Sequence, residues 1–129
     1  MTCSLVLDLE HDTTTEPVQT KITFNDYVLY TGPLNGLQSR LQFTPPSYKG
    51  KNTLQIHLLN KDELCGTEVD SAGTILKDTF INIKSVSVDK RQLKYMLFDR
   101  GLIKTNDGGI VKYSTYLSGN GYYEISFAL

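Results

Sequence analysis

The chain has no tryptophan and only two cysteines in 129 residues. Without tryptophan the broadest flat ring is missing, so any platform for a sugar must be built from tyrosine. Cys3 and Cys65 lie far apart and match no metal-ligand spacing. That excludes a zinc ribbon or a framework of several disulfides. Both are expected as reduced, small hydrophobes, and sequence alone does not decide a Cys3–Cys65 bridge. Neither sign of charge dominates, with 13 basic against 14 acidic residues. No electrostatic footprint for nucleic acid or an anionic membrane follows. No apolar run approaches the roughly 20 residues that span a bilayer. The opening residues, MTCSLVLDLEHD, have neither a basic n-region nor a long apolar h-region. No secretory signal is therefore expected, and folding in a cytoplasm is.

Catalytic signatures are lacking as well. His11 and His57 sit beside no Cys or Ser in a nucleophile motif. Gly108-Gly109 and Gly119-Asn120-Gly121 read as hairpin glycines rather than a phosphate-cradling turn into a helix. Adjacent acids such as Asp62 and Glu63 leave glycosidase chemistry only as a remote reading. The chain is expected to be non-enzymatic.

Strand formers are plentiful, including eight Tyr and five Phe, and they favour a β-rich class. Cys3–Glu10 alternates, with Cys3, Leu5, Leu7 and Leu9 on one side, which is a period-two strand signal. Gln19–Phe24 and Tyr27–Tyr30 read as a hairpin around Asn25-Asp26, two residues that tolerate left-handed backbone. A turn cluster at residues 32–36 leads into Leu37–Phe43, and Pro45-Pro46 must interrupt any ladder. Thr53–Leu59 follows, with Leu54, Ile56 and Leu58 on one face. Asp78–Val88 carries apolar residues on both faces, as an internal strand would. Asp89-Lys90 reads as a hairpin tip with Gln92–Phe98 returning. Turns at residues 106–109 and 118–121 bound the last two strands, Ile110–Leu117 and Tyr122–Leu129. No segment of helical length shows sustained apolar spacing at three and four residues. Many short strands between turn signals predict an all-β fold, a single antiparallel β-sandwich of jelly-roll type, with residues 1–129 as one domain.

The connection between Asn60 and Asp78 concentrates carboxylates: Asp62, Glu63, Glu68, Asp70 and Asp78 against Lys61 and Lys77. Ca²⁺ takes six to eight oxygen ligands, and an acidic loop containing Gly66 and Gly73 has the makings of a wrap for one. Asp70-Ser71-Ala72-Gly73 has the economy of a tight ion loop, although the alternating acids of a helix–loop–helix site are absent. The alternative is a set of solvated surface acids, and both readings stand. Tyr113, Tyr116, Tyr122 and Tyr123 flank the 118–121 turn, and tyrosine offers flat amphipathic surface to sugars or protein partners. Tyr116 and Tyr122 are the expected ligand-binding pair; ordinary cross-strand packing is the competing account.

Residues 54–61 (LQIHLLNK) followed by residues 77–89 (KDTFINIKSVSVD) resemble the closing half of the calcium-dependent, xylan-binding type of carbohydrate-binding module. In that family a strand ends in an Asn-Asp pair, a loop follows, and an Asp-led strand returns to an Asp/Asn-Gly turn. The resemblance places Asn60 and Asp78 on matching positions. Lys61 stands where the family has an acid, and Lys90 where it has glycine. With the loop acids, the implied metal set is Asn60, Asp62, Asp70 and Asp78, with Ca²⁺ as the cofactor. The same pattern, with Thr67, Asp70 and Gly73 spaced as Thr-x-x-Asp-x-x-Gly, resembles small modules of tailed-bacteriophage structural proteins. That likeness covers roughly residues 50 to 129 and implies a virion structural protein of the tail, neck, fibre or capsid decoration. Made in the host cytoplasm and located in the virion, it would contact copies of itself and other virion proteins. The alternative is a calcium-assisted module that recognises a host surface glycan. No nucleic acid or membrane partner is expected in either case, and the 61–77 connection is expected to project outward as the interaction surface.

Overall fold

In the computed structural model, residues 1–14, 16–61 and 67–129 are described. The first strands are β1 (Leu5–Asp12), β2 (Val18–Phe24), β3 (Tyr27–Leu34), β4 (Gln38–Phe43) and β5 (Lys51–Leu58). A small hairpin, β6 (Thr67–Val69) and β7 (Ile75–Asp78), leads into β8 (Phe80–Val88) and β9 (Arg91–Gln92). A single helical turn, α1 (Met96–Asp99), precedes β10 (Leu102–Thr105), β11 (Ile110–Lys112), β12 (Tyr116–Leu117) and β13 (Gly121–Ala128). The chain is thus nearly all β, as its alternation predicts.

Pairing is antiparallel throughout the described residues and sorts the strands into two large sheets. One runs β12-β8-β1-β4, with β9 also on β8; the other runs β11-β10-β13-β5-β2-β3. The inward rows of both sheets meet in one buried cluster. It takes Leu5, Leu7 and Leu9 from β1 and Ile81 and Ile83 from β8, with Ile22, Leu54, Ile56, Leu58, Tyr123 and Ile125 from the second sheet. Alternate residues of β1, β5 and β13 are buried and the others are not, so one face of each strand supplies core and the other supplies surface.

Two hairpins turn on residues that accept positive φ. Asn25 and Asp26 adopt φ 51° and 69°, and Asp89 and Lys90 adopt 49° and 68°, the paired left-handed geometry that two-residue hairpin loops need. Both turns lie where the sequence puts them. Other expectations need correction. Gly32 and Pro33 are not a turn but the end of β3, the edge strand of its sheet, where the missing proline N–H leaves no ladder bond unmade. Beyond Phe80, which stays on the outward face against Tyr116, β8 does not divide its apolar residues between two faces. Asp8 pairs with Ser85 and Leu9 with Ile83, so Lys84 is an extra residue, a β-bulge. The bulge shifts the phase, and Ile81, Ile83, Val86 and Val88 are all buried. The expected strand Gln92–Phe98 is instead the two-residue β9 and then α1, whose Leu97 is buried and whose Leu97 carbonyl accepts the Tyr123 hydroxyl at 2.8 Å. Ile110–Leu117 splits into β11 and β12, which belong to different sheets, with Tyr113 at φ 59° between them.

Gly121 begins β13 at φ 149°, and a Cβ there would stand 2.3 Å from the Lys104 carbonyl oxygen. Gly121→Ala is expected to cost about 2 kcal/mol or more through strain and displaced pairing. Ile56→Ala, a large-to-small change in the buried cluster, is expected to cost about 2–5 kcal/mol. Urea unfolding midpoints of the two variants check both values.

Candidate functional site

The corner around Asn60 and Asp78 is assembled from four chain segments, held by side-chain amides and a carboxylate. Asn60 follows β5 directly. Its Oδ1 accepts the Gln19 N–H at 2.8 Å and its Nδ2 donates to the Pro17 carbonyl at 3.0 Å, tying the exit of β5 to the entry of β2. The main chain of Lys61 is clamped by Asn120 in the 118–121 turn. Asn120 Oδ1 accepts the Lys61 N–H at 2.7 Å, and Asn120 Nδ2 donates to the Lys61 carbonyl at 2.9 Å. So fixed, Lys61 directs its ammonium to Asp78 Oδ1 at 2.7 Å and to the Ser118 carbonyl at 2.5 Å. Asp78 closes β7. Its Oδ1 also accepts the Thr67 hydroxyl at 2.6 Å and the Thr79 N–H at 2.9 Å. The Tyr116 hydroxyl lies 3.5 Å from Asp78 Oδ2, and the Tyr116 ring stacks on Phe80 with centroids 4.9 Å apart.

The structure therefore brings Asn60, Asp78 and Tyr116 to one corner. Asp70 is not part of it. Asp70 closes the turn of the β6–β7 hairpin, its Oδ1 accepting the N–H groups of Ala72 and Thr74 at 2.9 Å each. Three residues of strand separate it from Thr67, roughly 10 Å along the hairpin. Asp62 lies outside the described residues. Tyr122 belongs to the other sheet, on the outward face of β13; its ring packs on His57 at 4.8 Å between centroids, and Lys104 Nζ lies 5.9 Å from its centroid. The connection is not one open loop, since residues 67–78 form a hairpin with residues 69–74 exposed at its tip. Alternation is too short there, at three and four residues, to have been legible as strand.

Electrostatics follow from that packing. Burial would raise the Asp78 carboxyl, but the hydrogen bonds from Lys61 and Thr67 and the lysine charge outweigh it and hold the group below the ordinary carboxylate range. Burial pushes the His11 imidazole down, with Asp12 opposing. Burial, then the charge of Lys21, does the same to His57. Calcium does not fit the Asn60–Asp78 pair as it stands. Asp78 Oδ1 already takes three donors and Asn60 Oδ1 takes a main-chain N–H, while the ion needs six to eight oxygens free to turn toward it. The ammonium of Lys61 stands against the oxygens a cation would use. Among the described residues no three His, Cys, Asp or Glu side chains converge as a metal group. Lys61 as the partner of Asp78, and Asn120 as its clamp, were missed by sequence reasoning. The one available signal was the lysine standing where the resembled family has an acid.

No protein-family model and no curated protein matches the chain. Solved structures do. One is vCBM60 in complex with galactobiose, 15% identical, covering 97% of each chain at a TM-score of 0.59. Another is the selenomethionine form of vCBM60, from work in which circular permutation links two families of calcium-dependent carbohydrate-binding modules. It is 12% identical and covers 95% of this chain and 89% of its own, at a TM-score of 0.61. The fold is that of vCBM60. The expected resemblance to calcium-dependent carbohydrate-binding modules thus holds at the level of fold and extends over nearly the whole chain, beyond residues 50–129. The second of these is described among calcium-dependent modules, in keeping with the expectation of Ca²⁺, although in this chain the Asp78 carboxylate holds the Lys61 ammonium.

Lys61→Ala leaves the Asp78 carboxylate half-enclosed without its charge partner, and about 1–3 kcal/mol of stability is expected to be lost in urea unfolding. The depressed Asp78 value means that its contribution is present above about pH 4 and is lost as pH falls through the native value. The two imidazoles act earlier. Their lowered native values make stability decline as pH falls below about 6.5, where the unfolded chain takes up protons that the native state resists. Thermal midpoints from pH 8 to pH 3 should show two successive losses, with Asp78→Asn removing part of the second only.

Proposed function

We propose that the chain is a non-enzymatic, glycan-binding module: one domain, residues 1–129, folded as a jelly-roll-like β-sandwich. The observation that carries this reading is the fold shared with vCBM60 across 97% of both chains, in a structure that holds galactobiose. The single buried cluster, drawn from both sheets, supports the sandwich. A carbohydrate-binding module is by name a binding unit, which supports a non-catalytic role.

Asp70, at the tip of the β6–β7 hairpin, is too far from Asp78 to share one ion with it, and an ion bound at Asp78 competes with the Lys61 ammonium for that carboxylate. A second reading is a virion structural protein. It is supported by the open edges of the six-stranded sheet, where Val28 of β3 and Ile110 and Val111 of β11 are exposed, since unpaired edge strands are ready templates for another chain. The comparisons favour glycan over protein contact as the primary role. Location in a virion, and partnership with copies of itself and with virion proteins, are proposed on the phage-module resemblance alone.

Isothermal titration with galactobiose and a glycan array, each in EDTA and in Ca²⁺, tests the reading. Saturable binding of at least one neutral oligosaccharide is expected, and no binding to any arrayed glycan in either buffer would end it. Lys61→Ala is expected to tighten Ca²⁺ binding at least tenfold relative to the parent; equal affinities would show that Asp78 is not an ion ligand.

A further inference from the structure

At the end of β5 opposite to Asn60, the outward face of the six-stranded sheet holds a polar cleft of about 410 Å³. Small-ligand sites span roughly 300–1,000 Å³. About seven residues of strand, roughly 20 Å, separate Thr53 in this cleft from the Asn60 corner. The cleft arises from alternation: burying Leu54, Ile56 and Ile125 turns Thr53, Gln55, Glu124 and Ser126 outward.

These outward side chains are joined in register. Thr53 pairs with Ser126 and Gln55 with Glu124 across the ladder. The Thr53 and Ser126 hydroxyls lie 2.9 Å apart, and Gln55 Nε2 donates to Glu124 Oε2 at 2.7 Å. Glu124 Oε1 takes a longer contact from Lys104 Nζ at 3.4 Å. The floor of the cleft is thereby a fixed array of hydroxyl, amide and carboxylate groups, and a ligand meeting it has little side-chain ordering left to impose.

The walls are fixed by a buried asparagine. Asn52 is fully buried. Its Oδ1 accepts from Asn25 Nδ2 at 2.7 Å and from the Tyr48 N–H at 2.8 Å, and its Nδ2 donates to the carbonyls of Tyr48 and Gly50 at 2.9 Å each. Asn25 Oδ1 in turn accepts the Thr53 N–H at 2.8 Å. One amide network thus holds the β2–β3 turn, the main chain of Tyr48 and the start of β5 together, while Tyr48 as a residue remains 54% exposed. Tyr27, 50% exposed, stands with Asp26 and Tyr48 around an adjoining shelf.

An exposed tyrosine on a fixed main chain at the cleft, a second on the adjoining shelf, and a floor of hydroxyl, amide and carboxylate groups match one ligand chemistry well. Sugar rings present apolar C–H faces to aromatic planes and hydroxyl edges to paired acceptors and donors. Cationic and anionic side chains are mixed around the cleft, with Lys51 against Asp26 and Glu124, so no strong field selects a charged ligand. We infer that this cleft, and not the Asn60–Asp78 corner, is the carbohydrate site, and that it takes a short neutral oligosaccharide stacked on Tyr48. The inference rests on the glycan-binding reading and adds where the sugar sits.

The full chain and the variants Tyr48→Ala, Glu124→Gln and Tyr116→Ala are titrated with galactobiose and with the best neutral oligosaccharide from the array. Tyr48→Ala should weaken binding at least tenfold, Glu124→Gln several-fold, and Tyr116→Ala less than twofold, with far-ultraviolet circular dichroism matching the parent. ¹H–¹⁵N spectra of the unaltered chain supply a second measurement that needs no variant. Sugar should shift the Gln55 side-chain amide and the Thr53 and Ser126 N–H groups rather than Lys61 and Thr79. Binding that survives Tyr48→Ala and Glu124→Gln but fails in Tyr116→Ala, or shifts confined to Lys61 and Thr79, overturns this location and leaves the glycan function standing. Absence of binding by the parent chain removes both.

Discussion

Period-two burial along β5 and β13 is the constraint from which the rest of the molecule follows. Leu54, Ile56 and Leu58 on β5 and Tyr123, Ile125 and Phe127 on β13 go into the shared core. Full burial of each such side chain is worth roughly 1.5–3 kcal/mol. A one-residue slip would expose all of them together. Register is therefore strongly set, and with it the identity of every outward residue. Thr53 must face Ser126, and Gln55 must face Glu124. The polar surface of the six-stranded sheet is thus a by-product of how its core is packed.

Asparagine does at the two ends of β5 what alternation does along its length. Asn52 binds Tyr48 and the Asn25 turn at one end; Asn60 binds Gln19 and Pro17 at the other, beside the Asn120 clamp on Lys61. An amide carries donors and an acceptor on a short stem, so it can answer orphan main-chain groups on two segments at once. Buried groups of this kind are costly when unsatisfied and stabilising when every member is paired. Turns that alternation cannot organise are held in this way against the sheet, and the two candidate surfaces of the molecule are the two ends so held.

The Lys61–Asp78 pair shows how one residue changes what a scaffold offers. The fold is shared with vCBM60, a carbohydrate-binding module of calcium-dependent relationship. Yet here a tethered ammonium satisfies the carboxylate. Asn120 fixes the main chain from which the Lys61 side chain reaches Asp78, while holding the ammonium there still costs the rotamer freedom of a long side chain. Expelling it for a free ion requires the ion's coordination to exceed what the ion pair, the Ser118 carbonyl and the Thr67 hydroxyl already provide.

How much was legible depended on the range of the interaction. Alternation in Leu5–Leu9 and Leu54–Leu58, the left-handed turns at Asn25-Asp26 and Asp89-Lys90, and the all-β class are local consequences of side-chain type, and sequence alone settled them. The bulge at Lys84, the split of residues 110–117 between two sheets and the helical turn at residues 96–99 depend on distant partners, which local propensity does not encode. The same holds for function. Asp78 and Tyr116, singled out for different reasons, do meet; Asn60 is tied to that corner through its neighbour Lys61, whose ammonium binds Asp78 and whose main chain is held by Asn120, 59 residues away. Tyr27 and Tyr48 are unremarkable in the chain and become a rim only because Asn52 and Asn25 draw their segments together. Composition and period determined that this chain would make antiparallel sheets around an aliphatic core; tertiary structure alone decided which polar groups would face one another, because hydrogen bonds across sheets and turns join residues that the sequence keeps apart.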